Sequence, residues 1–121
     1  MRCSGEIRVH VIAKCREEPA EAAARVFEQL GMRETNLRNG VLIYVAWKSH
    51  RFAIIGDAGI HEKVGGSFWL AVHDAMKDLF ASGDLTRGIE SGIAMVAEQL
   101  ALHFPRLEND ENELDDSISY G

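Results

Sequence analysis

The stretch GDAGIHEKVGGSFW, residues 56–69, sets Asp57, His61 and Glu62 among four glycines. Such residues could hold a metal ion, move a proton, or only turn the chain. His61 and Glu62 are adjacent, so on a helix they point in different directions and do not chelate as a pair. No second histidine follows His61 four residues on, so the zinc-protease spacing is absent. Gly65 and Gly66 precede a helical pattern, but no Lys-Ser/Thr pair follows them, and no Gly-x-Ser-x-Gly elbow occurs. What is left is carboxylate chemistry.

Those carboxylates matter only if the fold brings them together. EIRVHVI alternates, with Ile7, Val9 and Val11 on one face and Arg8, His10 and Ile12 on the other. That is a half-covered strand. Pro19 opens a helix where proline fits best, Ala23, Phe27 and Leu30 form its stripe, and Gly31 is placed to end it. VLIYVAW and FAIIG are apolar on both faces, as in central strands covered on both sides, and the short KSHR between them predicts an antiparallel hairpin. A helix from about Ser67, its N-cap, to Ser82 follows, then one from about Thr86 that ends before Pro105.

The order is β-α-β-β-α-α. A right-handed crossover makes the first two strands parallel, and helices on both faces of a small mixed sheet give a three-layer α/β/α sandwich, an α/β fold. This topology gathers Glu6, Arg38, Asn39, Asp57 and Glu62 at one end of the sheet. There the carboxylates could bind a hard cation such as Ca²⁺ or Mg²⁺ through oxygen. They could also share a proton. Alternatively, Asp57 caps a turn, Asn39-Gly40 makes a bend and Glu62 is solvated. Asp84 or Thr86 would cap the last helix, and a straight preceding helix carries Asp84 to the opposite end. His10 and His50 read as surface residues.

The chain has 121 residues, the size of one domain, with a net charge of −6. Residues 108–121 hold six acidic residues and no basic one, while the remainder carries 13 of each. We therefore divide the chain into a domain over 1–107 and an acidic tail over 108–121 whose composition predicts disorder. A neutral body argues against nucleic-acid binding. No apolar run approaches the roughly 20 residues of a membrane span. Cys3 and Cys15 flank the first strand, too far apart for a disulfide, and two separate thiols point to the cytoplasm.

SGEIRVHV, RNGVLIYVAWKSHRFAIIGDAGIHEKVGGSFW, GDLTRGIESGI and HFP together resemble the TPM domain family over residues 4–105, in its short, soluble bacterial branch. The resemblance implies a three-layer α/β/α fold. Through a plant relative it implies acid phosphatase activity and a divalent-cation site built from acidic residues. Carried over, Asp57 after the third strand and Asp84 before the last helix would be ligands, with Glu6 and Asn39. Many relatives carry Asp-Asn-Gly before the second strand, where this chain has Arg38-Asn39-Gly40.

Two functions follow. In the first, Asp57 with Glu6 or Glu62 binds a divalent ion that polarises a phosphoester and activates water, with Arg38 on the phosphate. In the second, the domain is a non-catalytic interaction module for a protein partner, such as a membrane-bound TPM relative.

Overall fold

The structure, a computed structural model, describes residues 5–105 and the backbone of 118–120. The chain runs β1 (Glu6–Ile12), α1 (Pro19–Gln29), β2 (Gly40–Ala46), β3 (Arg51–Gly56), α2 (Ala58–Val64), α3 (Gly66–Ala81), α4 (Leu85–His103) and β4 (Ile118–Tyr120). β1 and β2 are parallel, with Glu6 opposite Gly40 and Ile12 opposite Ala46. β3 returns antiparallel, with Gly56 opposite Val41. β4 pairs in parallel with β1, giving the order β3-β2-β1-β4. Cys3 and, apart from β4, the acidic tail lie outside the described residues.

The period-two pattern sorts side chains between two helical layers. Leu42, Tyr44, Ala46 and Ala53 face α1, where they bury Ala22, Ala23, Val26 and Phe27. Ile7, Val41, Val9, Ile43 and Val45 face the other layer, against Ile60 of α2, Val72 and Met76 of α3, and Val96 and Leu100 of α4. Every residue of β2 is buried. Each large aliphatic side chain so enclosed contributes about 1.5–3 kcal/mol. α3 and α4 pack closely because a methyl on Gly88 would overlap the Phe80 ring and one on Gly92 would stand 2.5 Å from Met76 Sδ.

Three local readings change. β3 is an edge strand rather than a central one; its apolar run reflects cover on both faces, by α1 and by α3. α3 begins at Gly66 with Gly65 as N-cap (φ 76°), not at a Ser67 cap, because α2 ends only two residues earlier and the chain turns through the left-handed region. His10 is not a simple surface residue. It stacks on Tyr44 with centroids 5.6 Å apart, and its Nδ1 is buried without a partner among the described residues.

Burial pushes the His10 imidazole below its ordinary value of 6.5. The unfolded chain then takes up this proton more readily than the folded one. The stability from a neutral His10 is full above 6.5 and is lost as pH falls below it. Urea midpoints measured above and below 6.5 should drop towards acid, and His10→Gln should flatten that slope. The Tyr44 phenol beside it is pushed up to about 12, first by burial and then by Cys15.

Candidate functional site

The sheet topology does bring the chain's chemistry to one end. β1 and β2 start there, β3 finishes there, and Asp57 N–H donates to the Gly40 carbonyl at 2.9 Å. Asp57 is the N-cap of α2. Its Oδ1 accepts from the Ala58 N–H at 2.7 Å, and the residue is only 6% exposed.

Arg38 closes this cap from outside. Its Nε donates to Asp57 Oδ2 at 2.7 Å and its Nη2 to Oδ1 at 2.8 Å, a bidentate fork. Its backbone lies in the left-handed region, at φ 52°, which few non-glycine residues adopt. That conformation coexists with a second clasp: the Arg38 carbonyl accepts from Gly59 N–H at 2.8 Å and Ile60 N–H at 3.2 Å, two donors of the first turn of α2. The Asp57 carboxylate raises the Arg38 guanidinium above its ordinary value, by hydrogen bonding first and by charge second. Asn39 is buried beside it, and its N–H donates to Thr35 Oγ1 at 3.3 Å.

The other predicted site residues are placed differently. Glu6 starts β1 opposite Gly40, but its Oε2 pairs with Arg8 Nε at 3.3 Å. Glu62 is exposed on α2. His61 Nδ1 accepts from Trp69 Nε1 at 2.9 Å, which fixes α2 against α3. Asp84 stands at the opposite end, between α3 and α4, where its Oδ1 accepts from the Arg87 N–H at 3.1 Å. It is a helix cap there. Asp84→Ala should lower stability by about 1 kcal/mol, read from urea unfolding.

Do these residues suit a divalent ion? Among the described residues, no group of three or more His, Cys, Asp or Glu side chains converges to hold one. Asp57 already gives both oxygens to Arg38, and Glu6 faces Arg8. A cation would have to displace a guanidinium from a buried carboxylate. The donor set as arranged does not fit the ion. A cleft of about 340 Å³ opens next to Asn39, lined by Gly5, Glu34, Thr35, Asn36 and Leu37, and neither Arg38 nor Asp57 lines it.

A family model described as the TPM domain, named for a phosphatase, matches residues 1–99. The chain belongs to the TPM domain family. Its structure is similar to that of the BA42 protein from the psychrophilic bacterium Bizionia argentinensis, solved by NMR. The TM-score is 0.89 at 39% identity, over 99% of this chain and 83% of the other. None of the curated proteins compared with it matches. The α/β order read from the sequence is thus the order of this TPM domain, with the short α2 as the piece between β3 and the long helices.

Sequence reasoning placed Arg38 and Asp57 at one end but missed that they satisfy each other. They are 19 positions apart, and no local spacing signals such a pair. It also missed a groove at the hairpin end, whose one signal was the basic turn WKSHR.

Proposed function

We propose that this TPM domain is a non-catalytic binding module. One observation carries the reading: the Arg38 guanidinium occupies both oxygens of Asp57, the carboxylate on which the hydrolytic reading depends. An internal cation balances that charge, so the pair serves as a clasp between the β2 entrance and α2. The proposed partner is a protein, with a membrane-bound relative of the same family as the first candidate. The proposed compartment is the cytoplasm. No helix among the described residues is long and apolar enough to cross a membrane.

The name of the family model supports a second reading, cation-assisted hydrolysis of a phosphoester. It assigns Asp57 and Glu62 to catalysis, Arg38 to the phosphate, and Asp57, Glu6 and Asn39 to Ca²⁺ or Mg²⁺; Asp84, also expected as a ligand from the resemblance, caps α4 at the opposite end and does not join that ion. Arg38 would have to leave Asp57 first; its side chain is 45% exposed, so it has room to move.

A Ca²⁺ and Mg²⁺ titration followed by backbone amide NMR decides between them, together with a divalent-dependent assay on an aryl phosphate. The binding-module reading expects no saturable shifts at Glu6, Asn39, Asp57 and Glu62 and no hydrolysis. Saturable shifts there, with hydrolysis abolished by joint Asp57→Asn and Glu62→Gln, would establish the second reading instead.

A further inference from the structure

At the end of the sheet away from Asp57, the β2–β3 hairpin and the α3–α4 junction enclose a groove of about 400 Å³. Small-ligand sites begin at roughly 300 Å³. Val45, Phe52, Phe80 and Leu85 line it with apolar surface. Phe52 is held in place, with the His73 ring stacked on it at 4.3 Å and the Phe80 ring edge-on at 4.9 Å. Trp47 forms an outer wall, 47% exposed, with Lys48 Nζ 5.1 Å from its ring centroid. Three aromatic rings around one opening favour an aromatic guest, which can pack offset or edge-on against them.

The charged groups of this groove are of one sign. Lys77 and Arg51 line it beside His50, and no Asp or Glu does. Arg51 Nη1 donates to the Glu17 carbonyl at 3.2 Å, which positions the guanidinium without neutralising it. Lys77 has no ion-pair partner among the described residues, although Asp74 and Asp78 share its helix. On a chain of net charge −6, Lys77 and Arg51 thus stand at apolar walls, while Asp84, between the lining residues Gly83 and Leu85, is taken up by the Arg87 N–H and guanidinium. We infer that the groove binds a small aryl carboxylate, its ring between Trp47 and Phe80 and its carboxylate at Lys77 and Arg51. The site lies at the far end from the Arg38–Asp57 clasp, so its test does not depend on the reading proposed above.

The test is a titration of the full chain with 2-naphthoate, followed by backbone amide NMR. Saturable shifts are expected within residues 45–52 and 77–85. Lys77→Gln should weaken binding about two- to fivefold, as loss of one exposed ion pair does, and Arg51→Gln by a similar factor. The neutral 2-naphthamide should bind more weakly than either variant binds the anion. Both substitutions are at the surface and leave the core intact, so folding is not at risk. Shifts that do not saturate, or that saturate elsewhere, overturn the assignment. Equal binding of the neutral amide, or unchanged affinity when Lys77→Gln and Arg51→Gln are combined, overturns it too.

Discussion

Gly59→Ala should destabilise this TPM domain by about 3 kcal/mol, the upper range for forcing extra volume into a packed site. Gly59 lies in the first turn of α2, directly against the chain entering β2. A methyl there would overlap the Leu37 carbonyl oxygen and stand 2.7 Å from that of Arg38. The obstacle is backbone, so no rotamer change relieves it. The Arg38 carbonyl must also stay close, because it accepts from the Gly59 and Ile60 N–H groups. Relief by moving α2 would break both bonds and pull Ile60 from its fully buried place against Val41 and Leu100. Thermal unfolding should show a midpoint roughly 10 °C lower. A change of only a degree or two would mean that the contact between α2 and residues 37–38 is looser than described.

Asp57→Ala is the second large effect, at about 2 kcal/mol. It removes the cap on Ala58 N–H and both acceptors of Arg38 at once. The guanidinium left behind is 45% exposed and water can solvate it, so the cost stays below that of orphaning a buried charge. Asp57→Asn should cost less. An oxygen at the Oδ1 position still serves Ala58 and Arg38 Nη2, while the amide nitrogen opposes Arg38 Nε. Arg38→Lys should not restore stability lost in Arg38→Ala, because one ammonium cannot reproduce the two-pronged fit. Urea unfolding of the four variants gives the order directly. Full rescue by lysine would reduce the pair to a simple charge contact.

How much of this was legible in the sequence follows from the range of each interaction. The alternation Ile7, Val9, Val11 fixed which face of β1 is buried, because strand side chains alternate whatever lies above them. Pro19 and Gly31 marked the ends of α1 through backbone rules that act within a few residues. The short KSHR turn made β3 antiparallel, and the crossover helix made β1 and β2 parallel. From those came the common end for Arg38, Asn39 and Asp57.

Tertiary structure decided the rest. A free carboxylate and a clasped one have the same spelling, and only the bidentate geometry separates them. Glu62 faces solvent by the side of α2 it occupies once that helix is packed, whereas the Glu6–Arg8 pair, two positions apart on one strand face, was within reach of the alternation itself. Gly59, in sequence one of four glycines in a short stretch, is a close approach of two backbones. The cationic groove needed Lys77 of α3 and Arg51 of the hairpin on one opening; they are 26 positions apart and are brought there by the packing of Phe52 against His73 and Phe80. Local sequence determines the elements and their faces because those depend on near neighbours. Pairings across elements depend on register and crossing, and these are set only when the layers pack.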